Sequence, residues 1–383
     1  MMTESEKICN EVGAKFFCKD FVYEDLKYFN EANNKVELCD ALFEHGGIYL
    51  ALQIKERSAN KGSKSAEDWL KDVVYNQAVE QIKNTIYAIK NKHIQVHDLY
   101  HQKVDIHNKN LIFPLIVFDN PEVVSYNRSV NCKGTLINVL SITDYKSMME
   151  VLVLPYDIFY YLQERSQWLT NCGGLPHIVL GENENTSIIA NIKSEKDFAY
   201  FFKNYTYDGN TSNRNNALKL LAIISTFREH QTKKDNQYKI ILRLLQLITP
   251  KEATGFMERF DYAWDASCSN RFDFSKAVQL IVDGKKTSIV FFSLGTSPFA
   301  NKRYYEILCD AKLLQHKADS ILLVCFIGDN AKSCQIDWFY YEREYVEEPS
   351  ILKFYNEIGM FSGGVDREIY EEMCKKFLGL EDN

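Results

Sequence analysis

The chain has 383 residues, 46% of them apolar and 13% aromatic, enough to core two or three domains and too much for general disorder. A net charge of −7, from 45 basic and 52 acidic residues, excludes a protein that coats nucleic acid through a global positive charge; a local basic patch or a partner chain is needed instead. No apolar run approaches the roughly 18 residues of a membrane span, so no membrane partner is expected.

In chain order, residues 1–35 read as helical, with Phe16, Phe17, Phe21, Tyr23, Leu26 and Phe29 as the apolar positions. A strand pair over about 36–56 follows and turns at His45-Gly46-Gly47. The polar loop 57–65 leads to the clearest helix of the chain. Ser65 is its N-cap, Glu67 and Asp68 suit its first turn, and Trp69, Val73, Ala78, Ile82 and Ile86 mark its apolar face to about Lys90. Leu111 to Asp119 is a further central strand, in which Pro114 calls for a bulge or an edge. These elements make a compact α/β unit ending near 130. A mainly helical middle region spans 131–250, with helices over Val151–Leu169 and Ala217–Phe227 and an exposed loop over Asn204–Asn216. The third block, 251–383, is α/β, with strands near 277–282, 287–294 and 320–327 and a helix over 302–317.

Chemistry concentrates in the strand pair. Asp40 is the carboxylate that ends one strand, and Gln53 and Lys55 lie two residues apart on the next. Side chains alternate along a strand, so Gln53 and Lys55 share a face while Leu50, Leu52 and Ile54 turn into a core. A glutamine and a lysine projecting from so apolar a strand need partners.

Asp40 followed by Gln53-Ile54-Lys55, with a loop and a long amphipathic helix behind them, resembles the PD-(D/E)XK nuclease superfamily. The glutamine form is similar to the Mrr-type restriction endonucleases, and the surrounding pattern is similar to nuclease-like bacterial proteins of phage defence. The resemblance covers roughly residues 20–120. It implies a restriction-endonuclease-like mixed sheet flanked by helices, and metal-dependent hydrolysis of phosphodiester bonds, with DNA favoured over RNA as substrate. Asp40 and Gln53 would hold Mg²⁺ or Mn²⁺, and Lys55 would orient water and stabilise charge on the phosphate. Glu24 or Glu31, on the expected first helix, and Gln81, beside Gln77 and Trp69 on the long helix, would be auxiliary. Glu37 would join only through a break in the strand, since its parity opposes that of Asp40. Lys61 and Lys64 would touch phosphates. Gln53 departs from the usual carboxylate, so the alternative is a catalytically inactive nuclease fold serving as a binding or scaffold protein. A protein partner or self-association would supply what the acidic charge withholds.

Other signals carry less. The ten cysteines include no Cys-x-x-Cys pair, against a zinc ribbon or a thioredoxin-type site. With the polar stretch Met1–Lys7 in place of a leader, they point to a reduced, soluble, cytoplasmic protein. His93, His97, His101 and His107 fall in a broken, part-extended segment without further ligands. No phosphate-binding glycine loop is present. The echo of Leu38-Cys39-Asp40-Ala41 at Leu308-Cys309-Asp310-Ala311 lies in a helical pattern and reads as coincidence. Trp338-Phe339-Tyr340-Tyr341 reads as core or interface.

Overall fold

A computed structural model describes residues 3–17, 19–24, 26–29, 34–57, 64–106, 111–132, 134–172, 177–181, 187–191, 194–206, 211–230, 236–282, 284–297 and 302–343 except 331, with isolated positions at 300 and beyond 343. The architecture is mixed α/β. Two compact units divide at Thr211 and Ser212, not at the expected 130 and 250.

The first unit opens with α1 (Glu4–Phe16), started by a reciprocal cap between Thr3 and Glu6. The short strands β1 (Val22–Glu24), β2 (Lys27–Phe29) and β3 (Lys35–Glu37) follow, so the expected helix over 1–35 is correct only for its first half. The cause is visible in β1, which lies between two other strands. Val22 and Tyr23 are both buried, and a strand covered on both faces shows no alternation to read. β4 (Ala41–His45) and β5 (Ile48–Glu56) form the expected hairpin. Gly46 and Gly47 turn it with φ of 55° and 80°, the left-handed backbone that a two-residue hairpin loop requires.

Next, α2 (Ala66–Trp69) runs through a π-helical stretch, Leu70–Ala78, into α3 (Val79–Asn91). The wider π turn stacks Leu70, Val74 and Ala78 at intervals of four on one buried line, so the apolar face of the sequence is kept while its period changes. β6 (Ile94–Asp98), β7 (Lys103–Ile106), β8 (Leu111–Asp119), β9 (Ser129–Cys132) and β10 (Thr135–Ser141) complete a sheet in the order β7-β6-β1-β4-β5-β8-β10-β9. β5, β8 and β10 are parallel and their neighbours antiparallel. β8 is central and has no bulge at Pro114. The β10 ladder begins only at Leu115, one residue beyond the proline.

α4 (Ile142–Val151), α5 (Pro155–Cys172) and α6 (Glu195–Thr206) follow, with a separate hairpin of β11 (His177–Gly181) and β12 (Ser187–Asn191) between the last two. One core joins Leu50, Leu52, Ile54, Leu115 and Val117 to α1, α4, α5 and α6. The opposite face packs Ile116, Phe118 and Val139 against Trp69, Val74 and Ile82. A break at 130 fails because β9 and β10 extend this same sheet. Gly13 lets α1 lie on the Phe43 ring: a Cβ there would sit 2.3 Å from it.

The second unit contains α7 (Thr211–His230), α8 (Asn236–Gln246), α9 (Pro250–Cys268), β13 (Asp273–Val282), β14 (Lys285–Gly295), α10 (Lys302–His316), β15 (Ser320–Asn330) and β16 (Ser333–Glu342). Its sheet runs β13-β14-β15-β16, with β14 and β15 parallel across α10. A break at 250 fails because α8 packs on β16 and α9 on β13 to β16. The aromatic run Trp338–Tyr341 lies in β16, a strand absent from the expected set, and buries Trp338 and Phe339. The expected loop over 204–216 is largely helical, in α6 and α7, with 207–210 outside the described residues.

His45, at the end of β4, gives the first unit an acid sensitivity. It is buried, stacks on Phe159 at 5.5 Å, and burial lowers its pKa from 6.5 to about 4. Between those values the unfolded chain binds a proton that the folded chain refuses, so stability falls as pH drops from 6.5 toward 4. The loss is on the order of 3 kcal/mol. Urea midpoints measured from pH 7.5 to 4.5 are expected to show this slope in the native chain and a flatter one in His45→Gln; identical slopes would refute the assignment.

Candidate active site

β5 runs parallel to β8 and β10, and ligands of such sheets gather outside the carboxyl ends of the strands. Gln53 and Lys55 stand at that end of β5. Asp40 immediately precedes β4, so it begins that strand instead of ending one. The register Ala41↔Leu52 brings it level with Gln53, and its backbone N–H donates to the Leu52 carbonyl at 3.0 Å. The Ile54 N–H donates to Asp40 Oδ2 at 2.5 Å, and Lys55 Nζ lies 3.6 Å from the same oxygen. Lys55 Nζ also donates to Gln53 Oε1 at 3.3 Å. The three side chains singled out in the sequence therefore meet at one point.

The point is largely shielded from water. Gln53 is 4% exposed, and the side chains of Asp40 and Lys55 are 9% and 14% exposed. Burial raises the Asp40 pKa above its ordinary value, opposed by Lys55 and the Ile54 N–H and reinforced by Glu37 and Glu6. A carboxylate so placed gains from any further cation.

Asp40 opens on a cleft of about 480 Å³ that is also lined by Glu6, Asn10, Glu24 and Glu37. Glu24 reaches it from β1, not from a helix, and its Oε1 lies 2.9 Å from His101 Nδ1. The parity argument against Glu37 fails because β3 is not continuous with β4: it pairs with β2 in a separate two-stranded sheet. Glu6 and Asn10, on α1, were missed in the sequence. The Thr3-x-x-Glu6 capping pattern marks the start of their helix, but nothing local places them beside Asp40, which lies thirty or more positions away.

The remaining expected residues divide. Gln77 is exposed on the π stretch, away from partners of the site. Gln81 is half-buried on α3, with its Oε1 shut from solvent and without a hydrogen-bond partner. Trp69 packs on Phe118, which stands beside Lys55 in the β5–β8 register, so it braces the site from behind. Thr85 of α3 donates to the Leu38 carbonyl and anchors the segment leading to Asp40. Lys64 is engaged by Asp72 at 2.6 Å. Glu31, Lys61 and His107 lie outside the described residues. His93, His97 and His101 fall on or beside β6, and among the described residues no group of three or more His, Cys, Asp or Glu side chains is arranged to hold a metal ion.

Chemically, the arrangement offers two hard oxygen donors and an ammonium, of which Asp40 also lines the cleft. Among the described residues, no helix is long and apolar enough to cross a membrane. Compared with known proteins, the chain matches no family model, no curated protein and no solved structure.

Proposed function

We propose that this protein is a metal-dependent endonuclease of the PD-(D/E)XK type, in its Gln-x-Lys form, acting on DNA in preference to RNA and serving in defence against phage. The observation that carries the reading is that Lys55 Nζ lies within 3.6 Å of both Asp40 Oδ2 and Gln53 Oε1. The donor set fits Mg²⁺ or Mn²⁺, which take oxygen ligands and keep several waters when few carboxylates are offered. Asp40 and Gln53 would hold the ion. When bound, it supplies a Lewis acid for the phosphate and lowers the pKa of an attacking water. Lys55 binds a phosphate oxygen and stabilises the negative charge that develops there.

One observation favours a second reading. Gln53 is neutral where a carboxylate would strengthen ion binding, which suits a nuclease fold retained for binding or scaffolding in a defence complex.

Supercoiled plasmid, linear duplex DNA and RNA are the test substrates, with Mg²⁺, Mn²⁺ or EDTA. The native chain is expected to cut DNA only with a divalent ion, and Asp40→Ala is expected to be inert. Equal cutting by both would overturn the nuclease reading, and nucleic-acid binding without cutting would select the second.

A further inference from the structure

A second cavity, of about 670 Å³, opens at the carboxyl ends of β8 and β10, on the other side of Lys55 from the Asp40 cleft. Its size falls within the range of roughly 300–1,000 Å³ for small-molecule sites. Phe118 forms part of its wall and is the register partner of Lys55, so the cavity begins one strand away from the ammonium. Asp119, Asn120, Ser125, Tyr126 and Thr143 are among its other lining residues.

The lining specifies the ligand. Asn120 is 5% exposed; its Oδ1 accepts the Glu122 N–H at 3.1 Å, and its Nδ2 has no acceptor. Asp119 also lines the wall, its Oδ2 accepting from Ser5 Oγ of α1 at 3.0 Å. The Tyr126 ring is held against the Phe118 edge at 5.0 Å and under the Arg128 guanidinium at 5.2 Å. Arg128 is paired with Glu195 at 2.5 Å, and Asp119 and Asp144 add negative charge, so a small inorganic anion is disfavoured. A flat, neutral heteroaromatic ring with both donors and acceptors on its edge meets the amide, the carboxylate and the aromatic wall together. Such rings are nucleobases, which proteins take out of the stack at a cost that is least for unpaired bases.

We propose that this cavity receives an unpaired nucleobase, with Asn120 reading its edge and Phe118 and Tyr126 forming the aromatic wall beside it. This rests on the nuclease reading only for the source of the base, a strand held at Lys55; a free nucleotide is the other source of the same chemistry.

The test is binding of the full chain in EDTA, where nothing is cut, measured by fluorescence anisotropy. The probes are a 12-nucleotide single strand, its duplex, an abasic single strand and the four mononucleotides. Ser125→Trp and Thr143→Trp, both at exposed positions, would fill the cavity without disturbing the core, and Asn120→Asp would exchange a donor for an acceptor. The single strand is expected to bind at least tenfold more tightly than the duplex and the abasic strand, with each variant losing at least tenfold. Tight mononucleotide binding lost in the same variants supports the cavity with a free nucleotide as its ligand. Unchanged binding in both tryptophan variants, or equal binding of abasic and intact strands, overturns the proposal. Loss of binding in the variants of a chain that cuts nothing leaves the cavity assigned and removes the nuclease reading instead.

Discussion

Lys55→Ala is expected to lower the rate of DNA cleavage at least a hundredfold while leaving divalent-ion binding intact, whereas Asp40→Ala is expected to abolish both. The two residues touch, at 3.6 Å, yet do different work. Lys55 carries no metal-ligating atom. Its ammonium faces the oxygens of Asp40 and Gln53, and in the proposed reaction it would act on the charge that develops on the phosphate; removing one such preorganised donor typically costs about 10²–10³ in rate. Without Lys55 the ion has less positive charge to compete with at Asp40, so Mn²⁺ affinity should stay level or rise. Gln53→Glu should tighten it further by adding a charge beside Asp40. The raised Asp40 pKa sets the pH dependence: its ionised form is required, so ion binding and cleavage fall as pH drops, beginning at a higher pH than for an exposed aspartate. Calorimetric Mn²⁺ titration beside plasmid cleavage, from pH 5 to 8, reads all of these. Native cleavage rates in Lys55→Ala would remove it from the chemistry.

Glu195→Ala should cost the first unit about 3–5 kcal/mol, the usual price of orphaning a buried charge. Arg165 is fully buried, and every one of its N–H groups is placed. Nε meets Glu195, one terminal nitrogen meets the Arg128 carbonyl at 2.9 Å and Asn138 Oδ1 at 2.8 Å, and the other meets the Val139 carbonyl at 3.1 Å and Glu195 Oε1 at 2.6 Å. Glu195 also accepts from Tyr161 at 2.6 Å and from Arg128 at 2.5 Å. Burial alone would raise the Glu195 pKa, but the two guanidiniums and the Tyr161 hydroxyl hold it below the ordinary value. The cluster fastens α5 and α6 to β10. Removing the carboxylate strands two cations and a hydroxyl, with an expected fall in melting temperature of roughly 10 °C. Arg165→Met combined with Glu195→Met should recover part of that loss, since the Arg165 charge is no longer orphaned, while Arg128 and the Tyr161 hydroxyl still lack Glu195. A Glu195→Ala chain melting within a degree or two of the native one would show the cluster to be dispensable.

The readable part of the candidate site lay within one hairpin. Strand alternation put Gln53 and Lys55 on one face, and the glycine pair at 46 and 47 set the register that brings Asp40 level with them; all of these are local rules over sixteen residues. The long helix was equally visible from its cap and its apolar face, though its π turn was not, because a change from 3.6 to 4.4 residues per turn barely alters so short a pattern. β1 was misread because burial on both faces erases period. Glu37 was misjudged because parity holds only while a strand is unbroken, and the chain bends between Glu37 and Ala41.

By itself, the sequence determined the mixed α/β class and the hairpin that carries Asp40, Gln53 and Lys55, because periodicity and turn chemistry act between near neighbours. Only the tertiary structure decided that Glu6 and Asn10 share a cleft with Asp40, that Arg165 is locked by Glu195, and that a second cavity borders Lys55. Those arrangements join residues that are distant along the chain, and which of them meet is fixed by sheet order and helix packing, which no local pattern encodes.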